Sequence, residues 1–182
     1  MIILVDQDGP LANFECAFLQ EWRKRYPERL FIALEERKTF YLRDQYPKEF
    51  LADVEAIYNA PGFTRSMPPV PEGIAALQEL TRSGHTVVIC TAPLSKAATS
   101  IPEKLEWIRE HLGADYVRRT ICTKDKTLIR GDILIDDRVE VEGELAPLWK
   151  HVLFTLPYNA HLEYHLRLQQ DWSNLQNLLA QV

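Results

Sequence analysis

Cysteine is scarce in this chain of 182 residues: Cys16, Cys90 and Cys122 are the only three, an odd number with no C-x-x-C pair. A disulfide framework is therefore excluded, and none is needed, since a domain of this length buries roughly 70% of its unfolded surface. The last two follow or fall within apolar runs, and all three read as reduced, buried thiols of a cytosolic protein. The sequence also lacks a basic leader with an apolar core and any apolar stretch of about 18 residues, so no membrane helix is expected and the cytoplasm is the expected location. The formal net charge of −5 argues against broad binding to nucleic-acid polymers or membrane surfaces. It leaves room for a local basic pocket that takes a small anion. No internal repeat and no low-complexity tract is present. His161 and His165 fall one helical turn apart, but without the H-E-x-x-H pattern or a third ligand they give no zinc site.

What is present is an alternation of short apolar runs and helix patterns. "IILV" before Asp6, "TVVIC" before Thr91, "ILI" before Asp136 and "HVLFT" ending at Thr155 read as buried parallel strands, with "RTIC" at 119–122 a weaker fifth. Between them, Ile74, Leu77 and Leu80 share one helical face and Leu105, Ile108 and Leu112 another, with Gly84 and Gly113 placed to stop the two helices. This alternation predicts an α/β domain with a central parallel sheet flanked by helices and right-handed crossovers.

The segment from about Asn13 to Pro69 breaks the rhythm with aromatic-rich helical patterns and no comparable strand. Phe14, Phe18, Trp22 and Tyr26 recur every four residues; Phe50 or Leu51, Val54 and Tyr58 line a second helix. These aromatics read either as the insertion's own core or as a wall on which a ring can stack. Prolines in "SMPPVPEG" stiffen the return to the sheet. The expected division is a core of residues 1–13 and 70–182 and a small helical cap of residues 14–69. "WSNLQNLLAQV" is expected to be a packing helix. A homodimer is left open.

In an open parallel sheet, ligands bind beyond the carboxyl ends of the strands, so polar residues after apolar runs are the candidates. They are Asp6 and Asp8 after the first run, Thr91 after the second, and Asp136 and Asp137 after the third, with Lys126 ten residues before Asp136. Carboxylates gathered in one place repel unless a cation sits among them, and hard oxygen donors in this number suit Mg²⁺. At an extended strand end Asp6 and Asp8 point to one side, and Gly9 permits a sharp exit. One carboxylate can attack while the other handles protons.

"VDQDGPLANF", "FIALEERKTFYL", "VICTAP", "KDKT", "ILIDDR" and "HVLFT", in this order, resemble the signatures of the 5'(3')-deoxyribonucleotidases, a branch of the haloacid dehalogenase phosphatase superfamily. That resemblance implies a Rossmann-like core with a cap inserted after the first strand and Mg²⁺-dependent hydrolysis of deoxyribonucleoside monophosphates. It implies Asp6 as nucleophile forming an aspartyl-phosphate and Asp8 as acid and then base. Mg²⁺ would be held by Asp6, Asp136 and the backbone carbonyl of Asp8. Thr91, Lys126 and the position of Ala92 would bind phosphate, and Asp137 would orient Lys126 or a metal-bound water. The substrate pocket would map to Phe14, Phe40, Tyr41, Leu42 and Tyr58 around the base, with Lys104 and Lys124 near sugar and phosphate. Similar sequences carry Ser at Ala92, Arg at Lys124, Asp at Asn13, and often Trp at Tyr41 and Tyr58. The first change removes a hydroxyl and the second a two-pronged donor.

Two other functions fit some of these residues. One is a phosphatase of the same superfamily acting on another small phosphoester. The other is a phospho-aspartate receiver module, which also gathers acidic groups, a Thr and a Lys at a sheet edge. In such modules the acidic pair comes first and a lone acceptor aspartate mid-chain, whereas here D-x-D leads and the adjacent pair comes late.

Overall fold

The expected strands form in a computed structural model that describes all 182 residues. They are β1 (Ile2–Val5), β2 (Thr86–Thr91), β3 (Thr120–Cys122), β4 (Ile133–Asp136) and β5 (Lys150–Phe154), joined by a short β6 (Arg167–Leu168). The sheet order is β3-β2-β1-β4-β5-β6 and every pairing is parallel. Burial on both faces explains why the central strands read as unbroken apolar runs: Ile3, Leu4 and Val5 of β1 and Ile133, Leu134 and Ile135 of β4 have no exposed surface. β5 ends at Phe154, one residue earlier than its apolar run. β6 escapes a reading of the sequence because two residues carry no periodicity.

Six α-helices complete the chain: α1 (Phe14–Arg25), α2 (Leu51–Tyr58), α3 (Pro71–Arg82), α4 (Ser100–His111), α5 (Ala114–Val117) and α6 (Leu175–Leu179). Asn13 caps α1 by accepting the Cys16 N–H at 2.9 Å, and Pro71 opens α3, where a missing N–H costs nothing. Gly84 and Gly113 follow the ends of α3 and α4 in the left-handed region, at φ +85° and +95°.

Between β1 and β2, residues 14–69 contain α1, α2 and three 3₁₀ turns and no strand. Their aromatics divide by position. Phe18 and Trp22 are buried and stack with centroids 5.9 Å apart, and Tyr46 meets Trp22 edge-on at 4.8 Å. These rings belong to the same 30-residue apolar cluster as Val5, Ile89 and Ile135 of the sheet. Phe14, at the start of α1, is only half-buried. Of the cysteines Cys90 is buried, and burial pushes its thiol up to about 12; Cys16 and Cys122 are half-buried, contrary to their reading as core thiols.

His151 on β5 is held neutral by the same core. Its Nδ1 lies 2.6 Å from the Tyr164 hydroxyl, and burial lowers its pKa to about 4. An unfolded imidazole takes its proton near 6.5, so between these values the unfolded chain binds more protons and stability falls as pH drops. Urea midpoints measured from pH 7 to 4 are expected to show this loss, up to about 1.4 kcal/mol per pH unit from this group, and His151→Gln removes its share.

Candidate active site

The strand order reverses beside β1, since β2 lies on one side of it and β4 on the other; the crevice beyond this point is where an open sheet offers a ligand site. Asp6 follows β1, Thr91 ends β2 and Asp136 ends β4, so three chemically active side chains share one edge. The turn after Asp6 is tight: the Gln7 carbonyl accepts the N–H groups of Leu11 at 3.1 Å and Ala12 at 2.8 Å, and the Gly9 N–H donates to the Ala12 carbonyl at 2.9 Å. Gly9 sits at φ +90°, and a Cβ there would stand 3.0 Å from the Asp137 carboxylate. Only glycine serves both demands.

The carboxylates of Asp6, Asp136 and Asp137 converge. Each offers an oxygen, all within 4.8 Å of one another, and all three residues are buried. Lys126 compensates two of them, its Nζ 3.2 Å from Asp6 Oδ2 and 2.5 Å from Asp136 Oδ2. Backbone N–H groups hold the other oxygens, from Gln7 to Asp6 Oδ1 at 2.8 Å and from Arg138 to Asp136 Oδ1 at 2.9 Å. Three hard oxygen donors in a small buried volume are the donor set of a divalent cation, so the residues present fit such an ion.

Asp8 turns elsewhere. Its Oδ1 accepts from Lys104 Nζ at 2.7 Å, and the same ammonium donates to Thr91 Oγ1 at 3.1 Å. Lys104, expected beside the sugar and phosphate, is fully buried behind these two residues. Asp137, expected to orient Lys126 or a metal-bound water, accepts a hydrogen bond from the Tyr158 hydroxyl and joins the carboxylate group.

These surroundings perturb proton affinities in ways that matter for chemistry. Burial raises the Asp8 carboxyl above the usual range; Lys104 opposes and the charge of Asp6 adds. A carboxyl shifted upward can hold a proton for a leaving group and later take one from water. Burial also raises Asp136, and it raises Asp137 further with the charges of Asp136 and Asp6. For Lys126 burial pulls the pKa down, but the charges of Asp6 and Asp136 win and raise it, so the ammonium stays charged.

A cavity of about 790 Å³ opens above the carboxylates. Asp6, Asp8, Lys126, Asp136 and Asp137 form its floor, with Ala92 and Lys124 beside them. Phe14, Phe40, Tyr41, Leu42 and Tyr58 all line its walls. Phe14 and Tyr58 face each other with centroids 6.0 Å apart, while Phe40 and Tyr41 are 39% and 49% exposed at the mouth. Leu42 is buried beneath them. Thr91 and Lys104 lie just behind the floor, where Lys104 Nζ bridges Asp8 Oδ1 and Thr91 Oγ1.

Tyr158, Asn159 and Arg138 are members of this neighbourhood that the sequence reading missed. Asn159 is fully buried and its Nδ2 donates to the carbonyls of Asp137 and Phe154, both at 2.9 Å, fixing the loop that delivers Tyr158 to Asp137. The available signal was position, since Tyr158 and Asn159 come soon after the apolar run of β5 and Arg138 soon after that of β4, the rule that found the other site residues.

Comparison with known proteins gives consistent findings. Residues 1–182 match the family described as 5' nucleotidase, deoxy (pyrimidine), cytosolic type C protein. A Bordetella pertussis protein assigned as a 5'(3')-deoxyribonucleotidase is 47% identical over 180 residues, spanning 99% of this chain and 96% of that one. The human 5'(3')-deoxyribonucleotidase of cytosolic type is 44% identical over 165 residues, 88% of this chain and 82% of that one. Among solved structures, a chain assigned as a haloacid dehalogenase-like hydrolase from Burkholderia xenovorans LB400 superposes with a TM-score of 0.50 at 16% identity, covering 99% of this chain and 96% of that one.

Proposed function

Because this chain belongs to the 5' nucleotidase, deoxy (pyrimidine), cytosolic type C protein family and is a phosphomonoester hydrolase, we propose that it is a Mg²⁺-dependent deoxyribonucleotidase working through an aspartyl-phosphate. The observation that carries this reading is the meeting of Asp6, Asp136, Asp137 and Lys126 on the floor of a cavity with aromatic walls. The floor suits a phosphate and the walls suit a planar base. The family match over the whole chain also leaves no support for a receiver module.

In the proposed cycle an oxygen of Asp6 attacks phosphorus, forming the Asp6 O–P bond as the bond from phosphorus to the nucleoside oxygen breaks. Asp8 gives its proton to that departing oxygen. Water then attacks the phosphoryl group, Asp8 takes its proton, and inorganic phosphate leaves with Asp6 restored. Lys126 balances the charge on the remaining phosphate oxygens, to which the Thr91 hydroxyl would donate a hydrogen bond. Asp6 and Asp136, with the Asp8 backbone carbonyl, would hold Mg²⁺, and Asp137 stands beside them; when bound, the ion supplies charge neutralisation for phosphate and carboxylates. Residues 14–69 are read as a cap that selects substrate and limits water, over a core of residues 1–13 and 70–182.

Phosphate release is to be measured with and without Mg²⁺ on deoxyribonucleoside monophosphates, ribonucleotides and sugar phosphates. The expected result is loss of activity in chelator and kcat/KM at least about tenfold higher for deoxyribonucleotides than for sugar phosphates. Activity confined to sugar phosphates overturns the nucleotide assignment and favours another small phosphoester.

A further inference from the structure

One buried ion pair lies outside the phosphate chemistry. Arg37 is 3% exposed, in a stretch, 37–41, that has neither helix nor strand. Its Nε donates to Glu15 Oε2 at 2.5 Å and its Nη2 to Glu15 Oε1 at 3.2 Å, a two-pronged contact with the first turn of α1. The same guanidinium also gathers the loop around itself. Nη2 donates to the carbonyls of Thr39 at 3.0 Å and Phe40 at 3.4 Å, and Nη1 donates to Gln45 Oε1. That amide oxygen in turn accepts the N–H groups of Lys38 at 2.6 Å and Thr39 at 3.1 Å.

The pair therefore joins the two sides of the cavity. Glu15 is next in sequence to Phe14, which with Tyr58 makes one wall; the loop wound on Arg37 carries Phe40 and Tyr41, which make the other. Phe40 meets Tyr158 edge-on at 5.9 Å, but both loop rings are largely exposed, so their position also depends on what holds the backbone below. A buried ion pair adds little stability over apolar groups of the same volume. Its forked, directional geometry does fix where two elements stand.

We propose that the Glu15–Arg37 pair is a positioning device that sets the gap between the two aromatic walls and so selects phosphate esters whose leaving group carries a planar heterocyclic ring. This rests on the deoxyribonucleotidase reading and assigns its base selectivity to a pair of which Glu15 borders the cavity while Arg37 stands outside its lining. Neither residue takes part in the bond changes at phosphorus, so the pair acts on substrate recognition and leaves phosphoryl transfer alone.

The test uses the full chain with Mg²⁺ and two substrates, a deoxyribonucleoside 5'-monophosphate and 2-deoxyribose 5-phosphate, which keeps sugar and phosphate but lacks the base. Arg37→Lys, which keeps the charge and loses the fork, and Glu15→Gln, which keeps the shape, are expected to raise KM for the nucleotide by about tenfold with kcat changed less than about threefold. The kcat/KM for deoxyribose phosphate is expected to move by less than about twofold. Hydrogen exchange should accelerate in peptides covering 36–45 and stay unchanged in β1 and β4, which also shows that the variants fold. Equal losses on both substrates, or an unchanged nucleotide KM in both variants, overturn the proposal. A wild-type chain without preference for the nucleotide over deoxyribose phosphate refutes the nucleotide reading itself, and the base selectivity assigned to the pair falls with it. A preference present in the wild type and kept by both variants refutes the pair's role alone.

Discussion

Asp6→Asn is expected to lower phosphate release by at least about 10⁴-fold while the chain still folds, because the change keeps the volume and removes the attacking oxygen. Asp6 sits where β1 leaves the sheet, its own N–H bonded to the Ile135 carbonyl at 2.9 Å, and that backbone bond survives the substitution. The carbonyl oxygen of an asparagine can still accept the Gln7 N–H that Asp6 Oδ1 accepts at 2.8 Å. The group facing Lys126 then becomes an uncharged amide, and half of the compensation for that buried ammonium goes with it. A modest loss of melting temperature is thus expected beside a near-complete loss of turnover. Acid-quenched single turnovers, which trap a phosphoryl group on the wild type, should trap none on the variant. Retained turnover would remove Asp6 from the role of nucleophile.

Lys126→Met should be the second most damaging change, and it should damage stability as well as rate. The wild-type ammonium is within 3.2 Å of Asp6 and 2.5 Å of Asp136, in a pocket that also holds Asp137. Removing one partner of a buried charge cluster leaves the others uncompensated, at a cost of about 3–5 kcal/mol. The loss of a phosphate-facing cation should lower kcat by about 10²–10³. The sign of the pH dependence follows from the carboxylates. Burial and the charge of Asp6 already raise Asp136, burial and the charges of Asp136 and Asp6 already raise Asp137, and without Lys126 both rise further. Folded carboxyls with raised pKa bind more protons than unfolded ones, so the variant recovers stability as pH falls toward the unfolded carboxyl range near 4. Added Mg²⁺ should also restore part of it at pH 7 by supplying the missing positive charge. Thermal melts at pH 5 and 7, with and without the ion, check both statements. A variant as stable as the wild type at pH 7 in chelator would show that the carboxylates do not need this lysine.

Several of these residues were legible before any coordinates because a buried parallel strand announces itself as an apolar run, and a polar residue directly after it stands at the sheet edge. Asp6, Thr91 and Asp136 follow from that rule alone. The aromatic repeat of α1 was legible as a helix face, yet its division into core rings at Phe18 and Trp22 and a wall ring at Phe14 was not, because periodicity gives the face and says nothing of what it meets. The pairing of Arg37 with Glu15 and of Tyr158 with Asp137 spans 22 and 21 residues through irregular backbone. No periodic signal connects such partners. The contact of Lys104 with Asp8 was hidden for a related reason: α4 could be predicted, but the direction of its lysine into the interior, 96 residues along the chain from Asp8, depends on packing.

The apolar cluster that runs unbroken from Val5 and Ile135 through Trp22, Val54 and Ile57 has a consequence for anyone who would treat residues 14–69 as an exchangeable module. Excising this segment, or grafting another in its place to make a chimaera of new selectivity, would open the sheet's own interior to water rather than part a thin seam between two bodies. Redesign of selectivity in this chain is better begun at the rim of the cavity, where side chains can be exchanged without breaching the interior that the two halves share.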